Sequence, residues 1–159
     1  MREMLFRGKR VDHGEWVYGY YIKPTHHCHD KGKHNDWIVT MTIQNGGWCN
    51  VAGKHAVVPE TVGQFTGLTD RNGKRIFEGD IVARYDDYKD DIMTEEYARI
   101  KYGVHNCGCC HSVYGFAPCS NIGVPNGSFS LSGSYNDDKE CEELVVVGNI
   151  HDNPELMKG

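Results

Sequence analysis

Cysteine and histidine side chains that could ligate a metal ion are concentrated in two polar stretches of the chain. The stretch "CGCCHSVYGFAPC" contains Cys107, Cys110, His111 and Cys119, and the stretch "HHCH" spans residues 26–29. Structural zinc sites use such side chains in tetrahedral sets, often drawn from two Cys-x(2–4)-Cys knuckles. Only Cys107 and Cys110 have that spacing, and His111 and Cys119 would have to complete the set. Zinc is therefore one alternative. The other, which we expect, is a protein without a cofactor whose loop thiols are reduced and open to alkylation.

An aromatic, strand-like stretch follows a basic N-terminal segment. In "EWVYGYYI" (15–22), every second side chain points to the same side of an extended strand, which places Trp16, Tyr18 and Tyr20 together. With basic residues upstream, such a face can stack a nucleobase and hold a phosphate group. The alternative, which the sequence favours, is that this face packs inside a β-barrel, because aromatic residues fit half-buried strands. The predicted ligand-binding residues are Arg7, Lys9, Arg10, Trp16, Tyr18 and Tyr20.

The stretch "FTGLTDRNGKRIFEGDIV" (65–82) is similar in composition to two kinds of ion-binding loop but matches neither. As an EF-hand calcium loop with Asp70 among its ligands, it would have Leu68 at the first ligand position and Gly79 in place of the bidentate glutamate. As a phosphate-binding P-loop, it lacks the Ser or Thr that follows the lysine. The stretch therefore predicts a turn at Gly73 followed by a strand, with a second bend at Gly79 and no bound cation.

The sequence contains none of the common catalytic motifs. It has no Gly-x-Ser-x-Gly nucleophile elbow and no His-Glu-x-x-His zinc motif. The nearness of His111 to the cysteines does not indicate a catalytic pair, because the members of such a pair usually converge through the fold. We therefore predict that the protein is not an enzyme. An enzyme with an unrecognised site remains an alternative.

Short strand-like stretches separated by glycine-containing turns account for most of the chain. The clearest are residues 15–22, 36–43, 75–85 and 143–150. About eight such stretches indicate a mostly β fold, a small barrel with long loops and a short helical turn at "NPELMKG". We predict one domain over residues 1–159, with irregular loops at about 23–35 and 103–127.

The composition limits the classes of partner and compartment. The 159 residues carry a formal net charge of −5, which argues against broad nucleic-acid binding because such binding needs many cationic side chains to replace phosphate counterions. No apolar run approaches the ~20 residues of a membrane-spanning helix, and the charged N-terminus lacks an apolar signal core. We therefore expect a cytoplasmic protein with no membrane association, whose seven cysteines stay reduced.

Three blocks of the sequence together resemble one known family. They are "FRGKRVDHGEWVYGYYI", "VPETVGQFTGLTDRNGKRIFEGDIV" and "VVVGNIHDNPEL", within residues 2–22, 57–82 and 144–156. In this order they resemble the YopX family, which is found mainly in bacteriophages and prophages. The resemblance implies a β-rich fold with an SH3-like element and a homo-oligomer, and it implies no catalytic residues. The two stretches rich in Cys and His lie outside the blocks, so they inherit nothing from the family.

A binding role is the leading expectation. The phage context that the resemblance implies, together with the aromatic and basic residues, suggests a non-enzymatic accessory protein that acts on host physiology or defence by sequestering a nucleotide-type signal. A zinc-stabilised protein-interaction module is the alternative. The expected partners are further copies of the chain and a small nucleotide or a host protein. The apolar run Leu144–Val147 also favours an oligomer, because a neighbouring subunit could cover one of its faces.

Overall fold

The computed structural model describes residues 4–23, 36–43, 49–86, 89–106, 112–119, 140–141 and 144–158. Within these residues the chain forms eleven β-strands and two short 3-10 helices. The strands are β1 (Phe6–Lys9), β2 (Trp16–Ile22), β3 (Asp36–Ile43), β4 (Cys49–Val57), β5 (Gly63–Asp70), β6 (Arg75–Phe77), β7 (Asp80–Asp86), β8 (Asp91–Asn106), β9 (Ser112–Cys119), β10 (Glu140–Cys141) and β11 (Leu144–Asn149). The 3-10 helices are Pro59–Thr61 and Pro154–Met157. The prediction of a mostly β fold with a short terminal helical turn is confirmed, in the form of one half-barrel sheet plus another sheet.

The chain divides into two compact units, Met1–Phe65 and Thr66–Gly159. β5 begins in the first unit and ends in the second. The expectation of a single domain over residues 1–159 stays a prediction. In the described part of the chain, no helix is long and apolar enough to cross a membrane.

The first unit is an antiparallel meander of β1, β2, β3 and β4. The second edge of β1 is paired as well, because Phe6 faces Gln64 at the start of β5. Just beyond β1, Arg10 forms a bridge with Val57 at the end of β4. The last strand of the meander therefore returns to the first, which covers backbone groups that an open sheet would leave exposed.

Side chains alternate along the meander between a core face and an outer face. Ile38 is fully buried on the core face, and the rings of Phe6 and Tyr21 lie 5.4 Å apart on the same side. Gly19 allows β2 and β3 to approach closely, because a Cβ atom at this position would lie 2.3 Å from the backbone oxygen of Val39. Any other residue at this position would push the two strands apart.

The second unit contains an antiparallel sheet in the order β11-β7-β8-β9, together with the end of β5, which pairs with β6 and β10. Its apolar core includes a cluster of Ile76, Val82, Ala98, Ile100, Leu144 and Val146. Successive residues of β11 are buried, with Leu144 1% exposed and both Val145 and Val146 7% exposed. A single chain therefore covers both faces of this apolar strand, and the apolar run by itself does not require a neighbouring subunit.

β9 lies within residues 103–127, which the sequence predicted as an irregular loop. β8 extends into this region as far as Asn106, and every residue of β9 pairs with β8 in antiparallel register. The loop prediction is therefore wrong for the residues of β9. The glycine and proline in this segment disfavour a strand. Pairing with β8 and the contact between the rings of Phe116 and Tyr102, whose centres lie 4.8 Å apart, outweigh that preference. Residues 24–35, in the other predicted loop, lie outside the described residues.

The turn-rich stretch that precedes β7 forms both of the predicted turns. Asp70 is fully buried, and its Oδ1 accepts hydrogen bonds from the backbone N–H groups of Asn72 and Lys74 at 2.9 and 2.8 Å. Its Oδ2 accepts a third, at 2.9 Å, from the N–H of Val146 in β11. Gly79 has a φ of 83°, a left-handed conformation that favours glycine, so the second bend is confirmed.

Candidate functional site

One side of the β1–β4 meander combines cationic and aromatic side chains. The register pairs Arg7 with Tyr18 and Lys9 with Trp16, so these four side chains lie on one side of the sheet. Alternation along β3 and β4 continues the same side across the meander. We call it the cationic–aromatic face, and it comprises Arg7, Lys9, Trp16, Tyr18, Tyr20, Trp37 and Lys54.

Trp16 contacts two cations of β1. The guanidinium carbon of Arg7 lies 4.7 Å from the centre of the indole ring, and the ammonium nitrogen of Lys9 lies 5.6 Å from it. Arg7 is only 6% exposed, so its contact with the ring is shielded from water. Cation–π contacts are worth about 0.5–2 kcal/mol, and the larger values belong to desolvated pairs. A nucleobase that stacked on Trp16 would therefore have to compete with both side chains.

Tyr18 and Tyr20 are exposed on the cationic–aromatic face. They are 47% and 49% exposed, whereas a place in a barrel core would bury both. The expectation that the aromatic face packs inside a barrel is therefore wrong for these tyrosines. The opposite face of β2, which carries Tyr21 beside Phe6, turns inward instead, because alternation lets only one face of a strand meet the core.

A cavity of about 330 Å³ lies where the segment after β1 runs beside β3 and β4. We call it the Trp37 pocket, and its described lining is Arg10, Val11, Asp12, Trp37, Lys54, His55 and Ala56. The ammonium nitrogen of Lys54 lies 4.2 Å from the centre of the Trp37 ring. The register explains this contact, because Trp37 faces Ala56 and Lys54 is therefore its diagonal neighbour on the same side. The pocket thus joins one indole ring to two cationic side chains.

Arg10 and Asp12 form an ion pair in the lining of the Trp37 pocket. Nε of Arg10 donates a 2.8 Å hydrogen bond to Oδ1 of Asp12, and Nη2 donates to Oδ2. These hydrogen bonds raise the pKa of Arg10 and lower the pKa of Asp12. Both groups are therefore charged at neutral pH, and the carboxylate holds the guanidinium in a fixed orientation.

The structure separates the predicted ligand-binding residues into two places. Arg10 lines the Trp37 pocket, and the others lie on the part of the cationic–aromatic face outside the pocket, which shares Trp37 and Lys54 with that face. The sequence did not indicate Trp37, Lys54 or His55. The strand that carries Trp37 was recognised, but its register with the following strand could not be read from local sequence, and that register sets the contact between ring and cation. Ligand binding by the predicted residues stays a prediction.

The predicted zinc ligands lie largely outside the described residues. This is so for Cys107, Cys110 and His111. Cys119 ends β9 opposite Arg99 of β8, and its side chain is also outside the description. Among the residues that the structure describes, no group of three or more His, Cys, Asp or Glu side chains is placed to hold a metal ion. Zinc binding and thiol reactivity stay predictions.

The relationship of the chain to known proteins follows from its sequence and its fold. The family model described as "YopX protein" matches residues 5–158, nearly the whole chain. The chain belongs to the YopX family. The resemblance carried by the three sequence blocks is thereby confirmed.

Among solved structures, the crystal structure of protein EF1440 from Enterococcus faecalis is similar to this YopX-family chain. The similarity covers 99% of each chain, with a TM-score of 0.53 and 21% sequence identity. At this level of identity it shows the fold alone. Comparison with curated proteins gives no match.

Proposed function

We propose that this YopX-family chain is a non-enzymatic accessory binding protein that sequesters a nucleotide-type ligand in the Trp37 pocket. The observation that carries the proposal is the convergence of Trp37, Lys54 and Arg10 on one cavity. An indole ring offers a stacking platform for a base, and stacking is worth about 1–3 kcal/mol per base. The base would have to displace Lys54, whose ammonium nitrogen lies 4.2 Å from the centre of the Trp37 ring, and the displaced ammonium group would then face the phosphate of the ligand. The ammonium and guanidinium groups offer charge-assisted hydrogen bonds to phosphate oxygens.

The size and polarity of the pocket agree with such a ligand. Ligand pockets in proteins measure about 300–1,000 Å³, and the Trp37 pocket, at about 330 Å³, is at the small end of that range. Asp12 adds an acceptor for a base amino group or a ribose hydroxyl while it orients Arg10. His55 faces Ile38, so its imidazole lies on the opposite side of the sheet from Trp37 and Lys54, next to Gly53, where a Cβ atom would lie 2.7 Å from its Nε2.

The biological setting of the proposal rests on the family. The YopX resemblance implies a phage or prophage protein, so we place the chain in the cytoplasm of a bacterial host, where removal of a nucleotide signal would alter host physiology or defence. Such a role needs tight binding and no turnover. A homo-oligomer fits the role, because each copy contributes another pocket to the sequestering capacity.

Thermal shift and calorimetric titration with a nucleotide panel test the proposal. The panel contains ATP, GTP and cyclic mono- and dinucleotides, and a ligand at 100 times its Kd adds about 2.7 kcal/mol to stability. We expect one class of nucleotide to raise the melting temperature. Trp37→Leu and Lys54→Gln should each weaken its binding about tenfold or more, as expected for loss of one stacked ring or one charge-assisted contact.

Two variants serve as matched controls. Tyr20→Leu removes an exposed ring from the cationic–aromatic face without altering the pocket lining, and Lys158→Gln removes an exposed lysine from the second unit. Both should bind like the parent. A panel in which no nucleotide shifts the melting temperature, or equal binding by Trp37→Leu and the parent, would refute the proposed site.

A further inference from the structure

We propose that the second unit holds a site for a small monocarboxylate, in a pocket between β8 and the C-terminal 3-10 helix, with Arg99 as the anion-binding residue. The pocket has a volume of about 170 Å³. Its described lining consists of Arg99 and three apolar side chains, Ile150, Pro154 and Met157. This site is independent of the proposed nucleotide pocket, because every residue that carries it belongs to the second unit.

Arg99 lines the pocket and carries an unsatisfied donor. Its Nε is buried, and in the described structure it has no hydrogen-bond partner. A buried donor without a partner costs about 1–3 kcal/mol, and more when the group is charged. A guanidinium presents parallel N–H donors that match the two oxygens of a carboxylate, so Arg99 gives the pocket a group suited to that anion. The buried Nε would be satisfied when the side chain turns toward a carboxylate in the cavity.

The charge and polarity of the lining select the class of anion. Arg99 supplies one positive charge, and the other described lining residues are apolar. A monoanion is neutralised by a single guanidinium, whereas a phosphate dianion would leave an uncompensated charge against apolar walls. The neighbouring acidic side chain, Asp152, is engaged by Nδ2 of Asn149 at 2.8 Å. The pocket is also smaller than the usual ligand cavity, so the ligand is a carboxylate with a short apolar chain.

The apolar wall of the pocket is held by a network of hydrogen bonds. Oδ1 of Asn149 accepts from the backbone N–H groups of His151 and Asp152, both at 3.0 Å. The N–H of Ile150 donates to the carbonyl oxygen of Gly79 at 2.9 Å, which anchors the turn to the bend before β7. Residues that line a site on such a fixed turn lose little freedom when a ligand binds, which favours affinity for a small molecule.

An NMR titration with butyrate tests the site directly. The Nε–H resonances of the arginines are followed in ¹⁵N-labelled protein, and Arg99→Lys identifies the Arg99 signal. We expect butyrate to shift that signal saturably, with a Kd on the order of millimolar for so small a ligand. Butylamine, a cation of similar size, should leave the signal unmoved, and inorganic phosphate should bind at least tenfold more weakly than butyrate.

Three variants locate the effect. Arg99→Lys keeps the positive charge but loses the planar guanidinium group with its parallel N–H donors. It should weaken butyrate binding at least tenfold, as measured through the methyl signal of Met157. Met157→Phe fills the pocket from its apolar side and should abolish the shift of the Arg99 signal while the protein stays folded. Arg84→Lys is the matched control. Among the residues that the structure describes, Nε of Arg84 is also buried with no hydrogen-bond partner, but Arg84 is not part of the described pocket lining. This variant should bind butyrate within twofold of the parent.

Three results would overturn the proposal. The first is a shift of the Arg99 signal that depends only on ionic strength, so that butyrate and phosphate produce the same shift at the same ionic strength. The second is unchanged binding in both Arg99→Lys and Met157→Phe. The third is the absence of any saturable shift in the millimolar range. Because these measurements leave the nucleotide panel untouched, failure here is distinguishable from failure of the proposed function.

Discussion

At the scale of single residues, the carboxylate of Asp70 joins the turn after β5 to β11. This buried carboxylate accepts three backbone hydrogen bonds, one of them from Val146 in β11. Asp70→Ala would leave three N–H groups without that acceptor, and an unsatisfied buried group costs about 1–3 kcal/mol. We therefore expect this variant to lower the free energy of unfolding by about 3 kcal/mol or more, as measured by urea denaturation.

The control for Asp70 is Glu155→Ala, which removes the same charge from an exposed position. Its free energy of unfolding should stay within about 0.5 kcal/mol of that of the parent. Calcium should leave the melting temperature of the parent unchanged, because backbone donors already engage both oxygens of Asp70. A parent-like stability of Asp70→Ala, or a calcium-dependent rise that this variant loses, would contradict the structural role of the carboxylate.

The role of Asp70 shows what local sequence can and cannot predict about a residue. The spacing of Asp70, Asn72 and Gly73 indicated a turn, because such residues accept tight backbone geometry, and the turn is present. The bond to Val146 joins residues that are far apart in sequence, so no local pattern could reveal it. The same limit hid the contact of Lys54 with Trp37, which depends on strand register.

At the scale of the strands, the hydrogen bond from the Tyr21 hydroxyl to Oδ2 of Asp36 joins β2 to β3. Burial raises the pKa of Tyr21 to about 12, and the hydrogen bond and charge of Asp36 act in the same direction. The ordinary pKa of tyrosine is 10.0. Between pH 10 and pH 12, the folded state therefore keeps the phenol proton of Tyr21, whereas the unfolded chain loses it. The stabilisation is therefore fully present below pH 10 and is lost as the pH rises through 12.

Urea denaturation at a series of alkaline pH values tests this linkage. The free energy of unfolding of the parent should fall more steeply between pH 10 and 12 than that of Tyr21→Phe, which has no phenol to titrate at this position. Tyr20→Phe removes an exposed hydroxyl from the same strand and should follow the parent. Curves of equal slope for all three proteins would show that the Tyr21 proton is not linked to folding.

Strands were predicted well where their own residues favour them. β2, β3 and β11 are rich in aromatic or β-branched residues, and all three lie where the sequence placed them. β9 was missed because its local sequence is ambiguous and its stability comes from pairing with β8. Which face of β2 turns inward was also mistaken, since both faces carry aromatic residues and only the packing of β1 and β3 decides between them.

At the scale of the whole molecule, we expect copies of the chain to associate through the outer side of the first unit. The exposed apolar residues on this side are Tyr18, Tyr20, Ile22, Met41 and Val51. A cluster of exposed apolar residues is typical of an interaction surface, because soluble proteins rarely expose large apolar patches. Light scattering at micromolar concentration should therefore give a mass above the 18.0 kDa of one chain.

Single substitutions locate the expected interface. Tyr20→Lys places a charge among the exposed apolar residues and should lower the measured mass toward that of one chain, because a buried, unpaired charge is costly. Met4→Lys is the control, since Met4 is exposed but does not belong to that group. A mass of 18.0 kDa for the parent would end the oligomer prediction, and an equal effect of both variants would move the interface elsewhere.

The double pairing of β1 has a consequence for the order in which the protein can fold during synthesis. β1 is synthesised before all of its partner strands, and one of its edges is completed only by Val57 and by Gln64. At about 5–20 residues per second, the ribosome takes several seconds to deliver those partners. Until then, β1 can pair only with β2. A pause in translation before codon 64 would therefore prolong the time in which one strand edge of the nascent chain is open to other chains.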